Sequence, residues 1–180
     1  MLDQGARLTG QLLRVGREGG TGATEVLDAL EVVETTERLL RGVAAPSRLQ
    51  VETRVVGRVR VARQTLEQAL LNLVVNARDA MAGQPGLIRI ETGTETLAGD
   101  AEADLPAGPF VVVSVEDDGP GMPPEVLERA LEPFFTTKPQ GTGLGLAGVY
   151  GAFREAGGTV RIHSTVGHGT RVELLLPRVG

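Results

Sequence analysis

Apolar positions recur at helical spacing along residues 65 to 82, "TLEQALLNLVVNARDAMA". Leu66, Ala69, Leu70, Leu73, Val74, Ala77 and Ala80 form one broad stripe there, which predicts an amphipathic helix. A second such helix is predicted over 25 to 41 from Val26, Leu27, Leu30, Val33, Leu39 and Leu40, with Thr24 as its N-cap. Residues 2 to 15 show a similar but weaker pattern, interrupted by Gly5 and Gly10, and "GREGGTGAT" follows as a linker. "SRLQVETRVVGRVRVA" alternates apolar and polar residues around Gly57, which predicts a pair of strands. "GLIRIETGT" and "GPFVVVSVED" are strand-like, and "PPEVLERAL" is a short helix opened by prolines. "LGLAGVYGAFREAGG" is helical with a stop at Gly157 and Gly158, and "TVRIHSTVGHGTRVELLLP" is a hairpin. This order predicts a mixed sheet with helices, which fits their segregation onto one face.

Composition narrows the function classes. The chain has 180 residues, 41% hydrophobic and 23% charged, in the range of an ordinary globular domain with an appendage. Aromatics make up 3% and the net charge is −5, so neither base-stacking platforms nor a basic duplex-binding face is expected, and no nucleic-acid partner. The absence of Cys rules out disulfides, thiolate metal sites and cysteine nucleophiles. No apolar run is long enough for a membrane span, which predicts a cytoplasmic chain or a fragment of one.

Three stretches carry candidate chemistry. "GLGLAG", residues 143 to 148, matches the dinucleotide fingerprint by spacing. A Rossmann turn must follow a strand, with an acidic residue about 20 positions on. Here Pro139 precedes it, no apolar run does, and position 163 is a His. What remains is a glycine loop entering a helix at about Leu144, where free N–H groups favour phosphate. Asn72 and Asn76, four apart, share a helix face, either as buried bonded amides or as oxygen ligands for a hard cation. "VSVEDDGPGMPP", 113 to 124, carries a strand into two Asp and two glycines. It is either a plain turn or a carboxylate beside bare backbone that accepts a bond from an exocyclic amine.

Taken in order, these stretches resemble the ATP-binding domain of sensor histidine kinases, in the GHKL superfamily. "LEQALLNLVVNARDAM" looks like the N box, "DDGPGM" the G1 box, "EPFFTTK" the F box and "GTGLGLAGVYG" the G2 box, followed by "GHGT". The likeness covers residues 25 to 178 and is nearest to hybrid, PAS-linked kinases. It implies the Bergerat fold, an α/β (α+β) two-layer sandwich of a mixed, mostly antiparallel sheet with helices packed on one face, with 25 to 180 as the catalytic domain, 19 to 24 as linker and 1 to 18 as a remnant of a second dimerisation helix. It also implies ATP and Mg²⁺ as cofactors, with Asn76 and neighbouring Asn72 holding the metal. Asp117 would recognise adenine, Gly119 and Gly121 would shape its pocket, and Thr170 would support the base through water. Phe134, with Phe135, would anchor a mobile lid, and Lys138 would reach the γ-phosphate. N–H groups around Gly141, Gly143, Leu144 and Gly145 would cradle the phosphates.

Superfamily hydrolases carry a Glu one turn before the metal Asn, and Asn72 cannot take a proton in that role. Transfer to a His on a separate dimerisation domain, and from it to a response regulator, is therefore expected over hydrolysis. His163 and His168 lie on a strand and in a turn, the ordinary surface reading for both. The acceptor His is thus expected elsewhere, the chain being either a truncated kinase or a stand-alone catalytic domain. Asp79 stands where many relatives have Lys, Arg78 is expected to be a solvated charge, and the lid is short between "TTKPQ" and "GTGLGL". Two alternatives stay open: a superfamily ATPase or anti-sigma-type serine kinase, and a non-catalytic nucleotide-binding docking module.

Overall fold

The computed structural model describes residues 22–99 and 105–180. The expected dimerisation remnant and half of the linker, residues 19–21, lie outside these residues. Among the described residues, seven strands form one mixed sheet: β1 (Glu25–Asp28), β2 (Arg48–Glu52), β3 (Arg58–Val61), β4 (Leu87–Leu97), β5 (Gly108–Asp117), β6 (Thr159–Ser164) and β7 (Thr170–Val179). The order is β1-β3-β7-β5-β4-β2, with β6 also beside β7. Only the β2–β4 pairing is parallel among these. The helices are α1 (Ala29–Ala44), α2 (Arg63–Ala80), the single turn α3 (Pro124–Leu127) and α4 (Gly145–Glu155).

All three longer helices bury their stripes against one face of the sheet. Val32, Val33 and Leu40 of α1, Leu66, Leu70 and Leu73 of α2 and Phe153 of α4 share a core with Ile88, Ile90, Val113, Val115 and Leu174. Each such side chain contributes about 1.5–3 kcal/mol by leaving water. Thr36 lies in the buried stripe of α1, where its hydroxyl donates to the Val32 carbonyl at 2.7 Å. The opposite sheet face follows from strand alternation. It carries a small cluster around Phe110, Val112 and Leu175 and, beyond it, charges. Arg171 bonds Glu91 at 2.8 Å and Glu116 at 3.0 Å, and Arg161 pairs with Glu95. His163 sits on this face against Glu173 at 3.3 Å, as a strand-surface residue.

Two local expectations are corrected. The helix predicted over 25–41 divides: 25–28 pair with β3, burying Leu27, and the helix starts only at Ala29. Its N-cap is Asp28 rather than Thr24, because the Asp28 carboxylate accepts the Leu30 N–H at 2.9 Å. The strands flanking Gly57 exist but do not pair with each other. The Arg54 N–H and C=O both bond Thr92 Oγ1, at 2.7 and 2.9 Å, which draws the intervening segment to β4. β2 accordingly runs along β4, while β3 lies between β1 and β7.

Candidate active site

A cleft of about 1250 Å³ opens between α2, the end of β5 and the loop joining α3 to α4. Its floor and walls are aliphatic, from Leu73 and Ala77 of α2, Val115, Val172 and Ile162 of the sheet, and Leu146. This is a slot for a flat, largely apolar group with a few polar directions.

Asp117 is the last residue of β5 and stays 7% exposed. Its carboxylate accepts the N–H of Gly119 at 2.9 Å and that of Thr170. Burial nonetheless dominates, aided by Asp118 and Glu116, and pushes its pKa above the usual carboxylate range. Two backbone bonds leave a carboxylate with unused lone pairs, and these can take an amine donor. Asp118 does different work: its side chain accepts the Leu87 N–H at 3.0 Å and closes the start of β4.

The turn after Asp117 is clamped by bare backbone. A Cβ on Gly121, whose φ is +70°, would stand 2.0 Å from the Thr165 carbonyl oxygen. A Cβ on Gly169, at φ +78°, would stand 1.9 Å from the Asp117 carbonyl oxygen. Ser164 completes the clamp: its hydroxyl accepts the Met122 N–H at 2.8 Å and donates to the Gly169 carbonyl at 3.0 Å. Having one proton, Ser164 then receives the Thr170 hydroxyl at 2.8 Å, leaving Thr170 Oγ1 as an acceptor at the cleft. Ser164 was missed in the sequence because a polar residue ending a strand carries no distinguishing pattern.

On the far wall, Asn76 lines the cleft, whereas Asn72, one turn earlier, does not. The Lys138 ammonium donates to Asn76 Oδ1 at 3.2 Å and to Asp79 Oδ2 at 3.2 Å. Burial alone would raise the Asp79 carboxyl, but bonds from Arg78 and Lys138 outweigh it and hold the group below its ordinary pKa. Arg78, expected as a solvated charge, also donates to the Val43 carbonyl at 3.2 Å and so ties α2 to the end of α1.

The glycine loop completes the rim. Gly141, Gly143 and Gly145 line the cleft; Leu144 does not and instead stands at the N-cap of α4. Gly143, at φ +68°, closes on the backbone of Phe134, where a Cβ would come within 2.3 Å, and its carbonyl accepts the Phe134 N–H at 2.9 Å. Phe134 itself has φ +68° and a 70% exposed ring, while Phe135 lines the cleft beneath the Arg129 guanidinium. Of the expected pocket residues, Asn76, Asp117, Gly121, Lys138 and Thr170 thus face one cleft, and Gly119, behind Asp117, does not line it. A hard cation suits this donor set: one amide oxygen, the rest left to phosphate and water. Among the described residues there is no cluster of three or more acidic, imidazole or thiolate ligands.

Residues 61–180 match the histidine kinase-, DNA gyrase B- and HSP90-like ATPase family. The sensor kinase CckA of Brucella abortus (strain 2308) is 41% identical over 184 residues, covering 98% of this chain and 19% of the relative. Sensor histidine kinase ZraS of Escherichia coli O157:H7 is 43% identical over 112 residues, 62% of this chain and 22% of the relative. The chain thus spans about a fifth of these relatives' length. Among solved structures, the mycobacterial sensor histidine kinase MprB superposes with a TM-score of 0.67 at 25% identity, over 88% of this chain and 100% of that one. A nucleotide-free form of the catalytic domain of histidine kinase ThkA gives 0.65 at 28% identity, over 88% and 99%. The chain belongs to the histidine kinase-, DNA gyrase B- and HSP90-like ATPase family, as an ATP-binding catalytic domain of the sensor histidine kinase kind.

Proposed function

We propose that this domain binds Mg·ATP in the cleft and passes the γ-phosphoryl group to the imidazole of a His on a separate helical dimerisation domain, from which it goes to a response regulator. The observation that carries this reading is Asp117. A buried carboxylate of raised pKa is costly, and it stands at the end of an aliphatic slot with lone pairs to spare. Adenine meets those demands, offering an N6 amine to Asp117 and a flat face to the aliphatic walls. Thr170 Oγ1 suits a water between the sheet and the ring. Asn76 Oδ1 would hold Mg²⁺, which would supply neutralisation of the phosphate charge there. Asn72 does not line the cleft, and the assignment rests on Asn76. N–H groups at the rim glycines and the start of α4 suit the phosphate tail. Lys138 suits the terminal phosphate.

Transfer is favoured over hydrolysis because no residue of this wall is a competent base. Asn72 and Asn76 cannot take a proton, and the bonds from Arg78 and Lys138 lower the pKa of Asp79 and so make it a weak proton acceptor. The domain therefore orients the donor and neutralises charge, and the nucleophile comes from the partner. The test is incubation with γ-labelled ATP and a dimerisation-domain fragment bearing the acceptor His. Acid-labile, base-stable label on that fragment, lost with Asn76→Ala, is the expected result. Vigorous Asn76-dependent phosphate release without transfer would instead make the chain a hydrolase.

A further inference from the structure

Lys138 reaches out of the loop between α3 and α4 and lands on α2, 59 residues away in the chain, at Asp79. Its ammonium bridges Asp79 Oδ2 and Asn76 Oδ1, each at 3.2 Å. Asn76 and Asp79 are three apart on a helix and so present neighbouring atoms to one donor. Within the loop, Lys138 is held by short-range bonds: its N–H to Thr136 Oγ1 at 3.1 Å, and its carbonyl from the Gly141 N–H at 3.1 Å. The bond to α2 is what relates this part of the lid to the scaffold. Asp79 is itself anchored, accepting the Arg78 guanidinium at 2.9 Å, while Arg78 donates to the end of α1. A continuous path of contacts therefore runs from α1 through Arg78 and Asp79 to Lys138.

An ion pair this exposed, 40% for Lys138 and 36% for Asp79, adds little to stability. Its placement has a sharper consequence. The ammonium is steered onto Asn76, an amide that lines the cleft. A negative charge on α2 also faces any incoming phosphate unless the lysine covers it. We propose that Asp79 is a positioning residue for Lys138, setting the lid ammonium beside Asn76 so that the site distinguishes a nucleoside triphosphate from a diphosphate. The inference rests on the nucleotide-binding reading above and adds the residue that tunes it. A diphosphate ends short of the ammonium and gains nothing from its position, whereas the terminal phosphate of a triphosphate meets it.

The test is calorimetry with Mg·ADP and a non-hydrolysable Mg·ATP analogue on the wild type, Asp79→Asn, Asp79→Glu, Lys138→Met and the Asp79→Asn/Lys138→Met double variant. Asp79→Asn should weaken the triphosphate about fivefold and the diphosphate less than about twofold. In the Lys138→Met background the same substitution should leave triphosphate affinity unchanged or raise it, since it then removes an uncovered negative charge. Asp79→Glu should retain most of the discrimination. In nucleotide-free protein, deuterium exchange across residues 136–143 should quicken in Asp79→Asn and not in Asp79→Glu. Equal losses for the two nucleotides, an identical Asp79→Asn effect in both backgrounds, or unchanged lid exchange would overturn the proposal. Wild-type protein that binds neither nucleotide would overturn this inference and the proposed function together. Binding of both nucleotides without dependence on Asp79 would overturn this inference alone.

Discussion

The two glycine segments bordering the cleft have similar backbones and opposite mechanical settings. Gly121 and Gly143 have φ of +70° and +68°, and each leaves no room for a Cβ against a neighbouring backbone. Around Gly121, the turn is fastened to the sheet: Ser164 holds Met122, the Gly167 N–H donates to the Pro120 carbonyl at 2.7 Å, and Asp117 holds Gly119. Around Gly143, the loop is fastened mainly to itself, through the Phe134 N–H and Thr142, and meets α2 through one exposed lysine. One wall is thus bonded to the sheet and the other mainly to itself, and the second is the one expected to open locally without global unfolding.

Matched substitutions break or sharpen that contrast. Gly121→Ala should cost about 3 kcal/mol in denaturant unfolding, since left-handed strain and a backbone clash both fall on the cooperative unit. Gly143→Ala, with the same strain and a similar clash, should cost less than about 1 kcal/mol, because the lid can let go locally. Similar losses for both would show that the lid belongs to the folding core after all.

Asp117→Asn should weaken adenine nucleotide binding about 100-fold by calorimetry, as the amide presents its N–H₂ where the base needs an acceptor. Its effect on stability runs the other way. The folded-state pKa of Asp117 is raised, so as pH climbs from the unfolded value through the folded one, the unfolded chain ionises first and stability falls. Above the folded pKa that penalty is constant. Nucleotide-free Asp117→Asn should therefore melt no lower than wild type at neutral pH, and the two should converge at acid pH. A lower melting point at neutral pH would show that the carboxylate is structural. A modest effect is expected at Ser164→Ala, about 1 kcal/mol of stability from losing the Met122 tie, with weaker base binding because Thr170 loses its partner.

How much of the site was visible in the chain differs between its walls for the same reason. α2 was predicted over 65 to 82 and spans Arg63–Ala80, because seven apolar positions at one period specify a buried face whatever covers it. The end of β5 was likewise visible, since an apolar run stopping at two Asp and a glycine turn can do little else. Local pattern failed where a segment's partner lies far along the chain. Nothing near residue 54 indicates that Thr92 captures it, or that residues 25–28 complete a strand edge rather than begin a helix. Asn72 and Asn76 look equivalent at helical spacing, and only the tertiary structure shows that Asn76 is the one lining the cleft.

The order of motifs was enough to name the family and the fold, because backbone periodicity and obligatory glycines are local physics written into consecutive residues. The linkage of Lys138 to Asp79 and Asn76 is of another kind. It joins two polar side chains that carry no periodic signal, across a loop whose length does not encode where it lands. Such a contact exists only once the sheet and α2 have fixed a surface for the lid to meet.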